Sequence, residues 1–264
     1  MREMFEKNKL SIFNKKTKNS FLLLNKEEKL NAFNKASKIT DSVVIRNVED
    51  TMINIALNGR GLNVFNNTAT SLKQFLDDYR LIPEEHRAER VLVFDTETTD
   101  KYNAYAVSIA LIVYNLKTKE IEKEVYSLIN PQDYIRAEAI DVHGITNEQV
   151  MNAQTFENFI QEFENFLIDI DFLVGHNLNF DINVIEREYQ RLNKVNPLLS
   201  FNVFDTMFMS KEIVNALDVK GKLKNPRLEE CVSHFNIPVE DGTYHNALYD
   251  TKQTLEVFKN LIEV

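Results

Sequence analysis

Apolar positions along the chain change their spacing near residue 90. From Val91 onward, short apolar runs alternate with stripes at helical spacing. Residues 91–94 (VLVF) read as a buried strand, and residues 105–115 and 121–129, rich in β-branched and aromatic side chains, as a hairpin across the polar turn LKTKE. Residues 156–168 place Phe156, Phe159, Phe163 and Phe166 on one stripe, the pattern of an amphipathic helix facing a core. Short strands are expected at 172–174 and 202–204, and helices at 178–193, 206–214, 227–235 and 245–261. A strand meander followed by strands alternating with helices predicts a mixed sheet covered by helices, an α/β fold.

The first 85 residues carry a weaker pattern. Residues 1–40 are rich in Lys and Asn around an apolar island at 21–24. Asn25 stands as a cap before an amphipathic helix over 26–38. A strand is expected at 42–48, a second strand or a helix at 51–57, a turn at 58–61, a helix at 70–79 and a linker at 81–90. This gives two parts: a small accessory region, residues 1–85, and a larger domain, residues 90–264. Packing on the larger domain and docking a partner are both open roles for the smaller part.

Composition narrows the class. The 264 residues are 44% hydrophobic and 27% charged, ordinary for a globular chain. The longest apolar run, 105–114, is about half of the ~20 residues a membrane-spanning helix needs. The N-terminus is charged and has no apolar core of a signal peptide. The single Cys231 excludes an internal disulfide and reads as a buried hydrophobe, so a cytoplasmic protein without a membrane partner is expected. Net charge is −9, divided as +4 over residues 1–90 and −13 over the remainder. So acidic a body binds polyanions weakly without help, unless divalent cations sit among its carboxylates.

Three segments carry the candidate chemistry: VFDTETT at 93–99, GHNLNFD at 175–181 and YHNALYD at 244–250. Asp95 and Glu97, at i and i+2 on a strand, share a face, and two acids so placed repel unless a cation joins them. Taken alone they also fit a solvated strand end. Asp181 falls in the first turn of a helix, where the dipole favours an acid in any case, and Asn177 is placed to cap that helix through its side chain. His176 reads as structural. His245 and Asp250, five apart, can face one site from a helix and its approach, and a histidine near neutrality can take a proton from water. Hydrolysis of a phosphodiester through two hard cations roughly 3.5–4 Å apart calls for several carboxylates and no thiolate.

In order and spacing the three segments resemble the DEDDh 3′–5′ exonucleases, the DnaQ-like family that includes the proofreading epsilon subunit of bacterial DNA polymerase III. The resemblance covers about residues 90–264 and implies a ribonuclease H-like mixed sheet flanked by helices, holding two divalent cations, Mg²⁺ or Mn²⁺. It implies that Asp95 bridges both cations, that Glu97 and Asp250 complete the one holding the attacking water, that Asp181 serves the other, and that His245 is the general base. Asn246 stands where a second subtype carries Tyr, which points to the histidine subtype. Thr96 (through its backbone) and Thr98 would lie beside the terminal nucleotide, with Asn177 and Phe180 as further contacts. The segment IDVHGIT, 140–146, resembles a substrate loop and adds His143 and Ile145. A helix-ending turn at Gly144 is the alternative for that segment. Asp205 is expected to cap a helix. Asp100 replaces the glycine usual after the first motif, and the second strand, VSIALI, lacks an acid the epsilon type often carries.

The activity implied is release of nucleoside 5′-monophosphates from 3′ ends, single-stranded or frayed. DNA is favoured, with proofreading or repair as the setting and a polymerase or other replication protein docked through residues 1–85. An RNA exonuclease of the ribonuclease T or oligoribonuclease kind shares the same five residues. A nuclease fold kept for binding would have lost one of them.

Overall fold

The structure, a computed structural model, describes residues 42–46, 52–56, 62–65, 72, 88–201, 203–239 and 246–263. Strands β1 (Ser42–Arg46), β2 (Met52–Ala56) and β3 (Leu62–Phe65) form an antiparallel three-stranded sheet. Of the two readings open at 51–57, the strand is realised. β3, with the sequence LNVF, is a strand not among those expected from the sequence. The expected helix at 26–38 and turn at 58–61 lie outside the described residues. Of the helix at 70–79 only Leu72 is described, helical and buried.

The larger sheet contains β4 (Arg90–Thr98), β5 (Ala106–Asn115), β6 (Glu120–Asn130), β7 (Gln154–Thr155), β8 (Phe172–Gly175) and β9 (Val203–Asp205), in the order β7-β6-β5-β4-β8-β9. β4, β5 and β6 are antiparallel, whereas β8 runs parallel to β4 and to β9. The mixed sheet expected from the element order is present. β4 begins inside the expected linker, at Arg90, and continues through the first acidic motif to Thr98. β5 is buried along its whole length, which explains its near-continuous apolar run.

The helices are α1 (Ala137–His143), α2 (Asn147–Val150), α3 (Phe156–Phe166), α4 (Leu178–Arg191), α5 (Thr206–Met209), α6 (Lys211–Val214), α7 (Leu228–His234) and α8 (Ala247–Glu263). The single helix expected over 206–214 is broken at Ser210. Its hydroxyl donates to Thr206 O at 2.6 Å, the carbonyl that also accepts the Ser210 N–H, and such back-bonding bends helices.

Alternation along β4 divides the core. Val91 and Val93 face α7 and α8, packing with Val174, Phe204, Cys231, Leu255 and Phe258. Phe258 meets the Phe204 ring edge-on, with centroids 5.0 Å apart. Leu92 and Phe94 point the other way, onto the phenylalanine stripe of α3 and onto Val184, Ile185 and Tyr189 of α4. Burying one such aromatic contributes ~1.5–3 kcal/mol, so both layers are held firmly against the strand that carries the acids.

Candidate active site

The same alternation places the chemistry. Asp95 and Glu97 continue the Val91–Val93 face and look toward α8, whose first turn carries Asp250. Carboxylate oxygens of Asp95, Glu97 and Asp250 lie within 4.8 Å of one another. On one side β4 is still paired with β5, Asp95 opposite Ala110 and Glu97 opposite Ser108. On the other side the pairing with β8 ends at Val93, which opens the sheet beside the acids. Asn246 starts α8: its side-chain oxygen accepts the Leu248 and Tyr249 N–H groups, and its carbonyl accepts that of Asp250. His245, the remaining member of the motif, lies outside the described residues.

Asp181 comes from the opposite layer. It is 3% exposed, and its Oδ1 accepts both the backbone N–H of Thr96, at 3.0 Å, and the Thr96 hydroxyl, at 2.7 Å. Because β8 has already left β4, that N–H has no strand partner, and the acid fills the place. Thr96 therefore gives both its backbone and its hydroxyl donor to Asp181.

Burial pushes Glu97 up to about 8, helped by the negative charges of Asp250 and Asp181. Burial and then Asp181, Glu97 and Asp250 raise Asp95 well above the carboxylate range. Burial likewise pushes Asp181 up to about 7, against its bonds from Thr96. Carboxylates crowded at this separation are stable together only with protons or cations between them. A donor set made wholly of hard oxygens fits Mg²⁺ or Mn²⁺.

The turn that presents Asp181 is built differently from the sequence expectation. Asn177 has φ +66 and makes no side-chain cap bond, so it does not cap α4 as its residue type suggests. Asp205 does so from β9: its carboxylate accepts the N–H groups of Asn177 and Leu178, each at 2.9 Å, and also that of Met207 at the start of α5. One acid caps two helices, beyond the single cap expected. Gly175 is demanded by a close approach, since a Cβ there would stand 2.5 Å from Leu178 Cδ1 and 3.1 Å from its Cβ. His176 is structural, as expected. Its ring lies 2.9 Å from the Thr206 hydroxyl and donates from Nε2 to Pro226 O at 3.1 Å, and burial lowers it to about 4.

Around the first motif, the Thr98 hydroxyl donates to Asp100 O, and Thr98 O accepts from His143 Nε2 at 3.1 Å. The other His143 nitrogen, Nδ1, accepts the Ile145 N–H at 3.0 Å. Gly144, φ +72, ends α1, so the helix-ending turn is realised. His143 thereby ties the 140–146 loop to β4. Ile145 is buried in a small cluster with Val107, Ile135 and Val150. Phe180 is half-buried against the α3 layer, and Asn177 is exposed.

Comparison with known proteins places this arrangement. Residues 92–258 match the exonuclease family RNase_T. The chain belongs to that exonuclease family. It is similar to the PolC-type DNA polymerase III of Bacillus subtilis (strain 168), 28% identical over 185 residues, and to that of Bacillus cereus, 29% identical over 191 residues. Each match covers 70% of this chain but only 12% of the polymerase. Among solved structures, exonuclease I from Methylocaldum szegediense superposes with a TM-score of 0.58 at 20% identity, over 67% of this chain and 41% of that one. The nuclease domain of 3′hExo, a DEDDh family member bound to rAMP, gives 0.55 at 15% identity, over 66% of this chain and 92% of that one. These structural likenesses concern the fold, which is ribonuclease H-like. As a member of the family the chain is an exonuclease, a hydrolytic enzyme.

Two features of this exonuclease site escaped the motifs. Ser108 sits directly across from Glu97, a hydroxyl in the strand where the epsilon type often carries an acid. Asp205, 24 positions from Asp181 in sequence, fixes the helix on which Asp181 stands. Strand pairing reveals the first, and hydrogen bonds between residues remote in sequence reveal the second.

Proposed function

We propose that this exonuclease removes nucleotides one at a time from 3′ ends of nucleic acid, DNA in preference to RNA, releasing nucleoside 5′-monophosphates in proofreading or repair. The observation that carries the reading is the convergence of Asp95, Glu97 and Asp250 oxygens within 4.8 Å, with Asp181 braced by Thr96 beside them. Asp95, Glu97 and Asp250 would hold one divalent cation, and Asp95 with Asp181 a second. When bound, such a pair makes water nucleophilic at neutral pH and offsets charge on the leaving oxygen. His245 takes the proton of the attacking water as the general base. Thr98, His143 and Ile145 shape the wall along the terminal nucleotide, and Asn177 and Phe180 stand open to its sugar and base.

The boundary between accessory region and nuclease is placed between residues 85 and 90, and residues 1–85 are assigned to docking a polymerase or another replication or repair protein. The likeness to PolC-type polymerases supports that setting. No helix among the described residues is long and apolar enough to cross a membrane; the cytoplasm is assigned as the site of action as part of this proposal.

The test is incubation with Mg²⁺ or Mn²⁺ and 5′-labelled single-stranded DNA and RNA of one sequence. A ladder shortening from the 3′ end, faster on DNA and abolished by EDTA and by Asp95→Ala, is expected. Faster shortening of RNA would transfer the enzyme to the ribonuclease class, and no cleavage of either strand would refute the catalytic reading.

A further inference from the structure

The acidity of the nuclease body poses a problem for any nucleic-acid enzyme, and one segment of the fold answers it. Residues 91–264 carry 15 cations, and five of them fall between Lys211 and Arg227, where only Glu212 and Asp218 oppose them. The rest of that region holds ten cations against 26 acids.

The segment is an ordered hairpin. Leu217 and Leu223 form an antiparallel bridge. Asp218 N donates to Lys222 O at 2.8 Å, and Lys224 N donates to Ala216 O at 2.9 Å. The turn is locked by the Asp218 carboxylate, which accepts the N–H groups of both Lys220 and Lys222, and by Gly221 at φ +73. Its side chains nevertheless point into solvent. Val219 is fully exposed at the tip, Leu217 and Leu223 are exposed below it, and so are Lys220 and Lys222. Neither lysine ammonium forms an ion pair among the described residues, whereas Lys224 is held by Glu230. A hydrogen-bonded turn that displays two exposed cations offers the positive charge that tracks the phosphates of a single strand.

Its position suits that use. The hairpin's C-terminal foot ends at Pro226, whose carbonyl accepts from His176, next to the turn that launches the helix carrying Asp181. A groove of about 610 Å³ at the same foot is lined by Glu229 and Glu230 as well as Arg227, which makes it a poorer home for a polyanion than the hairpin itself.

We infer that the hairpin of residues 216–224 grips the single-stranded backbone on the 5′ side of the nucleotide being removed, with Lys220 and Lys222 contacting phosphates. This rests on the exonuclease reading above. Binding of a 5′-fluorescent single-stranded DNA of ~20 nucleotides, followed by anisotropy in an Asp95→Asn background that keeps the strand intact, tests it. Each single-strand phosphate contact contributes ~0.7 to the slope of log affinity against log salt, so Lys220→Ala/Lys222→Ala is expected to make the slope shallower by ~1.4. Lys117→Ala/Lys119→Ala, which removes two exposed lysines from the β5–β6 turn, is expected to leave the slope unchanged. An unchanged slope in the hairpin variant, an equal loss in the control pair, or no binding by the parent even at ~50 mM salt would overturn the inference. Cleavage by the wild-type chain is read separately: if it fails while the slope still shifts, the catalytic reading falls and the contact stands.

Discussion

At the scale of single residues, the site depends on partners that are not themselves candidates for chemistry. Thr96 gives two hydrogen bonds to one oxygen of Asp181. Thr96→Val keeps the shape and the backbone bond but removes the hydroxyl, a loss of ~1–2 kcal/mol at a buried acceptor. Steady-state kinetics should show kcat reduced about tenfold, or ~1.4 kcal/mol, with KM for an oligonucleotide little changed. A raised KM with unchanged kcat would instead mean that Thr96 serves substrate binding directly. Glu188 gives a second residue-scale prediction, on stability. Its Oε1 accepts the Ala106 N–H, Arg191 lies 3.6 Å away, and burial still pushes it up to about 7. A carboxyl with a raised folded-state pKa contributes fully below its unfolded value near 4.5 and loses that contribution as pH rises through about 7. Glu188→Gln, which keeps an acceptor for Ala106, should therefore melt higher than the wild type at pH 8, by ~3 kcal/mol at most, with the difference closing near pH 4.5. Thermal melts at the two pH values decide it, and a variant that melts lower at pH 8 would show that the charged pair with Arg191 outweighs the burial.

At the scale of elements, the turn from β8 to α4 governs where Asp181 stands. Asp205 caps both α4 and α5, and a cap contributes ~0.5–2 kcal/mol, so Asp205→Ala should lower stability by ~1–4 kcal/mol in chemical denaturation. Asn177, in the left-handed region without a cap bond, predicts the opposite behaviour. Asn177→Gly should leave stability within ~0.5 kcal/mol of the parent, since glycine adopts that backbone without strain. A large loss for Asn177→Gly beside a small one for Asp205→Ala would reverse the assignment of the cap. Boundaries were legible in the sequence where period and punctuation agree, as at α3 and β8. They were not legible at Ser210, because an apolar stripe continues across a break made by a side-chain hydroxyl, nor at β4, where the acids interrupt the apolar run while the strand goes on.

At the scale of the whole molecule, folding sets four carboxylates close together, and cations should release that stored repulsion. Mg²⁺ is expected to raise the melting temperature, with stabilisation growing as the logarithm of its concentration and reaching ~2.7 kcal/mol at a hundredfold excess over Kd. Asp95→Asn should abolish most of the rise. A Mg²⁺-independent melt of the wild type would argue against a cation site of useful affinity. The two-part organisation is testable in the same way. Leu72 is buried in the α7–α8 layer, so a chain beginning near residue 86 should melt lower than the full chain yet retain cleavage.

The sequence alone determined the acids, their order, and the strand and helix periods that carry them, because these are local properties: i and i+2 on a strand share a face wherever the strand lies. Only the tertiary structure decided which acids meet. Asp250 joins Asp95 and Glu97 because α8 packs on the Val91–Val93 face, and Asp181 reaches Thr96 because β8 stops pairing at Val93 and leaves a backbone N–H to be filled. It also decided that His143 is spent on Thr98 and Ile145, and that Asp205 rather than Asn177 caps the helix beneath Asp181. Hydrogen-bond partners remote in sequence are fixed by how layers pack, and no spacing along the chain encodes them.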